Sequence, residues 1–179
     1  MNDFYENLKS LFQKKDKQPS KYKVCWHFLS EMLGEFLLIT KEEEEELNKL
    51  DDHDPRVLRE IIREYVVPHY RYFPPENQEK IKNSLTYYLA TNSEKLDWVF
   101  ASHQIPLDSD YGKFFYSLVW KELYGTDGPD PINPDDYEED CSDQYIMSLT
   151  YSGVLEKKYT STGEKPSIAN IVARLKQNS

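Results

Sequence analysis

Apolar side chains recur at three- and four-residue intervals along most of this 179-residue chain, and prolines and capping residues interrupt the pattern about once per helix length. That combination restricts the fold to helices joined by short connectors. Phe4, Leu8, Leu11 and Phe12, with Asp3 and Glu6 as a capping pair, predict a short amphipathic helix over 3–15. A connector over 14–19 precedes Ser20, which is expected to cap a second helix. Its polar positions Lys23, His27, Glu31 and Glu35 form one narrow stripe, while Tyr22, Trp26, Phe28, Leu29, Met32, Leu33, Phe36 and Leu37 cover the remainder.

Thr40 and Glu43 form a capping box for a third helix ending near Leu50, with Glu42 to Glu46 placed where the helix dipole favours negative charge. Asp54-Pro55 opens a fourth with Leu58, Ile61, Ile62, Tyr65 and Val66 inside and Pro68 as its stop. Pro74-Pro75 opens a fifth, bearing Ile81, Leu85, Tyr88 and Leu89. Ser93 opens a sixth through Leu96, Val99 and Phe100, and Pro106 closes it. Ser109 starts a seventh that ends at Tyr124-Gly125, with glycine as its cap. Tyr145, Ile146 and Leu149 suggest an eighth, residues 152–166 a loop or small hairpin, and Ile168, Ile171, Val172 and Leu175 a final helix.

The fold class expected is therefore all-α: one compact bundle of about eight or nine helices occupying residues 1–179 as a single domain. A chain of this length buries roughly 70% of its unfolded surface, enough for a core without metal or disulfide staples. The minor alternative is a stack of helical hairpins. Ser-Leu-Thr-Tyr begins at Ser84 and again at Ser148, with Ser-Leu-Val-Trp at Ser117, but the linkers between these matches differ too much for a regular repeat.

One segment stands apart from the helices. Between Thr126 and Asp143 lie eight carboxylates, no basic residue, and Pro129, Pro131 and Pro134, so 126–143 reads as an acidic loop that supplies most of the net charge of -10. Concentrated charge of one sign creates a directional field for a cationic partner. Asp127, Asp130, Asp135, Asp136, Tyr137, Glu138, Glu139, Asp140 and Asp143 are its candidate partner-binding residues. Tyr70, Arg71 and Tyr72, in the aromatic connector between Pro68 and Pro75, join them because Tyr and Arg are frequent interface anchors.

Chemistry of the familiar kinds is missing from the sequence. Six glycines form neither GxxxxGK[ST] nor GxGxxG, and His27, His53, His69, His103 and two cysteines show no CxxC or HExxH spacing, so no cofactor, metal or catalytic residue is assigned. Cys25 reads as core packing. Cys141 follows Glu138, Glu139 and Asp140, whose charge disfavours a thiolate. Two cysteines are too few for a secreted disulfide framework, and Val24 to Ile39 is too short and charged to span a bilayer. With no secretory leader apparent, the expectation is a cytoplasmic protein with no membrane segment.

Asp51-Asp52-His53-Asp54 concentrates oxygen and imidazole ligands but is explained by a turn that ends in a cap, and 126–143 lacks EF-hand spacing. Arg56, Arg59 and Arg63 offer guanidinium forks for phosphate, yet Glu60 and Glu64 interleave, and pairing such as Arg56 with Glu60 is expected instead. Six lysines between Lys9 and Lys23 raise nucleic-acid contact, which a pI of 4.9 opposes at long range. Of the functional classes left, a protein-binding module best fits concentrated carboxylates and 14 tyrosines, in its specific form an inhibitor or immunity-type protein docked on a basic partner such as a nuclease. The alternative is a small helical enzyme with carboxylates assembled from several helices, for which Glu31 and Glu35 are the first to examine, although an exposed polar stripe explains them. The oligomeric state has no signature in the sequence.

Overall fold

The computed structural model describes residues 21–102, 107, 111–142 and 166–177. Strand β1 (Tyr22–Val24) leads into α1 (Trp26–Glu31) and a 3-10 turn over Gly34–Leu38. Helix α2 is Lys41–Leu47. Helix α3 is one continuous run in three parts, Pro55–Ile61, a π turn over Ile62–Val66, and Val67–Tyr72. Then come α4 (Pro75–Ala90), α5 (Lys95–Ser102) and α6 (Gly112–Tyr124). Strand β2 (Tyr137–Glu139) follows a 3-10 turn over Pro134–Asp136, and α7 is Ile168–Gln177. The described residues are thus mostly helical, with seven helices against the eight or nine expected. The helices expected over 3–15 and around 145–149, and the loop over 152–165, lie outside the described residues.

Local capping chemistry sets most of the boundaries. Thr40 Oγ1 accepts from the Glu43 N–H at 3.2 Å while Glu43 Oε2 accepts from the Thr40 N–H at 2.9 Å, the reciprocal box that opens α2. Asp54 accepts from the Arg56 N–H at 2.8 Å ahead of α3. Helix α4 is closed two residues past Ala90 by Asn92, whose φ of 51° is left-handed, so that the Ser93 N–H reaches back to Tyr88 O at 3.0 Å and the Asn92 N–H to Leu89 O at 3.1 Å. Helix α6 stops at Gly125, φ 78°, with its N–H on Lys121 O at 2.9 Å.

Two sequence expectations are corrected. The segment after Ser20 does not begin a helix: Tyr22–Val24 is a strand, paired in parallel with β2 in the register Tyr22 to Tyr137, Lys23 to Glu138 and Val24 to Glu139. The helix begins only after Cys25, whose backbone is extended and whose Sγ accepts from the His27 N–H. Pro68 does not stop α3 either. Its ring removes one backbone donor and crowds the preceding turn, and the π turn just upstream widens the helix there, with the Val67 N–H bonding Ile62 O five residues back.

A single apolar cluster connects these elements. Phe28 and Leu29 of α1, Leu58 and Ile61 of α3, Ile81 and Leu85 of α4, Val99 and Phe100 of α5, Phe115 and Tyr116 of α6, and Ile168 and Ile171 of α7 are all buried within it. Burying each such side chain contributes about 1.5–3 kcal/mol. Helices α5 and α6 approach closely at Gly112, where an added Cβ would fall 2.5 Å from Asp97 Cα. The two described Ser-Leu matches occupy unlike settings, Ser84 fully buried on α4 and Ser117 partly exposed on α6. No helix among the described residues is long and apolar enough to cross a membrane.

Candidate functional site

The acidic segment is built into the fold through β2. Thr126 Oγ1 accepts from Trp120 Nε1 at 2.8 Å and donates to Gly128 O at 3.0 Å, which fixes the chain as it leaves α6. Asn133 then caps the 3-10 turn by accepting from the Asp135 N–H at 3.2 Å. Beyond β2 the Asp140 N–H continues the ladder to Val24 O at 2.9 Å, and Cys141 is joined to Cys25 by a disulfide. Cys25 is packed in the core as expected, but the expectation of a fold without a disulfide staple is overturned, and the bond ties the acidic strand to the start of α1. The buried Cys25 N–H is satisfied by Ser84 Oγ at 3.0 Å, which accounts for a hydroxyl in the core.

Three of the segment's carboxylates are neutralised internally. Asp127 pairs with Lys121, Glu139 with Lys95, and Asp140 with Lys23 at 2.7 Å. Hydrogen bonding from Lys121 holds the Asp127 carboxyl below its usual range, and that from Lys23, reinforced by Ser142, does the same more strongly for Asp140. For Glu139, burial pushes upward, but Lys95 and the Tyr88 hydroxyl, donating at 2.7 Å, outweigh it and hold the group low. Asp130, Asp135, Asp136 and Glu138 are exposed and have no cationic partner among the described residues. Asp143 lies outside those residues.

Beside the carboxylates lies a row of tyrosines. The Tyr22 ring sits 5.3 Å from that of Tyr137, Tyr137 5.5 Å from Tyr87, and Tyr87 5.3 Å from Tyr88. Tyr22 is 52% exposed. Trp98, one helical turn along α5 from the Lys95 that pairs with Glu139, is 55% exposed and meets Trp26 edge-on at 4.8 Å. Sequence reasoning assigned Tyr22 and Trp26 to the apolar surface of a helix and passed over Tyr87 and Trp98. The strand pairing that exposes Tyr22 has no local signature.

Of the Pro68–Pro75 group, Pro68 to Tyr72 belong to α3 and Pro75 opens α4, leaving Phe73 and Pro74 as the connector. Tyr70 is buried, its hydroxyl 3.0 Å from that of Tyr124 and 3.3 Å from Gln78 O, and Tyr72 is half-buried. Arg71 alone of the three is exposed.

A second polar constellation is internal. Glu31 and Glu35, expected on an exposed stripe, are 9% and 2% exposed. His69 of α3, fully buried, places Nδ1 3.0 Å from Glu35 Oε1 and Nε2 3.1 Å from Glu31 O, while His27 Nε2 lies 2.9 Å from Glu31 Oε1. A carbonyl only accepts, so His69 Nε2 carries a proton, and the contact to Glu35 then requires one further proton held between the two. Packing closes the pair to solvent.

Among the described residues, Asp51, Asp52 and His53 form the group whose ligand atoms come within 4.8 Å of one another, His53 Nδ1 being 2.8 Å from Asp52 Oδ1. Asp51 also accepts from the His53 N–H at 3.1 Å, which is turn chemistry. The arginine stripe is paired differently from expectation: Arg56 forks onto Asp54 rather than Glu60, and Arg63 bonds both Glu60 and Glu122 at 2.7 Å.

No protein-family model, curated protein or solved structure matches this chain. Its function is accordingly argued from its own surface.

Proposed function

We propose that this chain is a protein-binding module that offers the β2 face to a basic partner. The observation that carries the reading is the juxtaposition, on β2 and the turn before it, of exposed carboxylates with a row of tyrosine rings drawn from β1, β2 and α4. Asp135, Asp136 and Glu138 stand free of cations among the described residues, while the Tyr22–Tyr137–Tyr87 row supplies amphipathic contact area at low entropic cost. Backbone pairing to β1 and the Cys25–Cys141 disulfide hold those groups in place before any partner arrives, which lowers the ordering cost of association. An acidic rigid face of this kind suits an inhibitor or immunity-type protein that covers the phosphate-binding cleft of a nuclease. The disulfide favours a compartment that keeps cysteines oxidised over the reducing cytosol expected from their small number.

The test is affinity capture from the source cell with wild type and a triple variant, Asp135→Asn, Asp136→Asn and Glu138→Gln, which leaves the structural Glu139 and Asp140 in place. A basic protein retained by wild type, released by rising salt and lost with the variant supports the reading. Equal retention by both chains counts against it.

A second reading, a small helical enzyme, draws on the buried Glu35–His69 pair and on Glu31 beside it. Their enclosure disfavours it, because substrate would have to displace core side chains to reach them. Hydrolytic activity abolished by Glu35→Gln in a chain that remains folded would reinstate it.

A further inference from the structure

On the outer side of α3 a cavity of about 260 Å3 is lined by Arg56, Arg59 and Arg63. Glu60 and Asp54 lie at its edges, and Val57 with Leu175 of α7 form an apolar wall. Three cations and two anions line one space in a chain of net charge -10.

The three arginines are not equivalent. Arg56 is forked onto Asp54, with Nε at 3.0 Å and Nη2 at 2.7 Å from Oδ2. Arg63 is forked onto Glu122 at 2.7 and 3.2 Å and also bonds Glu60. Glu60 is buried, and Arg174 engages it from α7, so its charge is already answered by two guanidinium groups. The Arg59 side chain makes no hydrogen bond among the described residues. Its Nε is shielded from solvent, and the nearest carboxylate oxygen, Glu122 Oε1, is 3.8 Å away, beyond hydrogen-bonding distance. Glu122 is meanwhile committed to Arg63. The Nη1 and Nη2 edge of this side chain, which is 36% exposed, makes no hydrogen bond among the described residues, and such a permanently charged edge at a cavity is suited to a bidentate oxyanion.

We infer that this cavity is a binding site for a small phosphate monoester, with Arg59 as the principal donor and Arg56 and Arg63 adding charge at the rim. Size selects the class. At about 30 Å3 per water the cavity holds the equivalent of roughly nine waters, enough for one phosphoryl group and a compact substituent. It falls short of the roughly 300–1,000 Å3 that encloses a drug-sized ligand, which argues against a dinucleotide. The Val57 and Leu175 wall favours an apolar substituent over a second charged group. This site is independent of the β2 face and stands or falls separately from it.

The test uses the full chain with its disulfide intact, titrated calorimetrically with inorganic phosphate, phenyl phosphate and benzoate at matched ionic strength. Phenyl phosphate is expected to bind more tightly than inorganic phosphate, and benzoate more weakly than phenyl phosphate. Arg59→Gln should weaken phenyl phosphate about tenfold to a hundredfold, the loss expected for charge-assisted bonds. Arg59→Lys, which keeps the charge without the fork, should fall between. Because the Arg59 side chain has only its 3.8 Å ion pair with Glu122 among the described residues, both variants should unfold close to the wild-type temperature when ligand is absent, which separates binding from folding. Absence of phosphate binding by wild type overturns the assignment, as does equal affinity in Arg59→Gln. Benzoate binding as tight as phenyl phosphate would overturn the phosphate class.

Discussion

Cys25 and Cys141, separated by 116 residues in sequence, are joined with their Cα atoms 5.1 Å apart, so the acidic strand and the start of α1 are covalently one unit. The closure shapes both ends. Cys25 is where β1 becomes α1, and Cys141 is where β2 leaves the sheet. A two-stranded sheet of three residues per strand is marginal in isolation, and here a cross-link and a packed helix, α4, supply what the ladder lacks.

Reduction of this bond, or Cys141→Ser, is expected to lower stability by about 4–5 kcal/mol, the chain-entropy value for a loop of this length. Urea unfolding with and without reductant measures it. Unchanged midpoints would mean that the thiols are not joined in solution. A reduced protein that stays folded should also bind the proposed basic partner more weakly, because β2 then loses its covalent anchor and is held only by its ladder, ion pairs and ring contacts.

Glu35 and His69 make the second prediction. Both are shut away from water, so removing one leaves the other buried without its partner, at a cost of about 3–5 kcal/mol. His69→Leu and Glu35→Leu should each destabilise on that scale, whereas the double replacement should recover much of the loss. Chemical denaturation of the four proteins completes a double-mutant cycle. Additive losses would show that the two side chains do not interact.

Legibility in the sequence followed the range of the forces involved. The start of α2, the Asp54-Pro55 opening of α3 and the Gly125 stop of α6 were readable because a cap is decided within about four residues. Tyr22–Val24 was not, since its partner strand lies more than a hundred residues onward and its composition suits a helix equally well. The spacing of His27, Glu31 and Glu35 placed them on one line but gave no sign of which way the line faces. His69, supplied by α3, turns it inward. Pro68 was misread because the compensating π turn is a property of the whole helix, not of the proline. Within the acidic segment, the carboxylates were legible and their neutralisation was not. Lys121 lies close enough in sequence to have been considered for Asp127, whereas Lys95 and Lys23 reach Glu139 and Asp140 only through the fold.

Gly112 supplies a third prediction. A methyl group there would lie 2.5 Å from Asp97 Cα and 2.7 Å from Leu96 O, both backbone atoms that a rotamer change cannot move. Gly112→Ala should therefore separate α5 from α6 and disturb the 2.8 Å bond from the Lys113 N–H to Asp97 Oδ1. A loss of about 1–3 kcal/mol is expected, against the slight gain that alanine brings in an uncrowded helix. Thermal unfolding of the variant decides the sign, and stabilisation would place the two helices farther apart than described.

The ion pairs of the acidic segment contribute to the response to acid, alongside those of Asp54 and Glu64. Glu139, Asp140 and Asp127 titrate lower in the folded protein than their ordinary values, so folding favours their ionised forms. Stability from these pairs is then complete above the unfolded pKa values of about 3.9–4.3 and is lost as pH falls through the lower folded values. The wild-type unfolding temperature should hold on the neutral side and decline below about pH 4. Glu139→Gln, which cannot ionise, removes one contributor, so its curve should start lower at neutral pH and converge toward wild type in acid. Lys95→Met should act similarly by removing the cation that lowers Glu139. Circular dichroism melts between pH 7 and pH 2 distinguish the outcomes, and curves that stay parallel across that range would place the acid sensitivity somewhere other than β2.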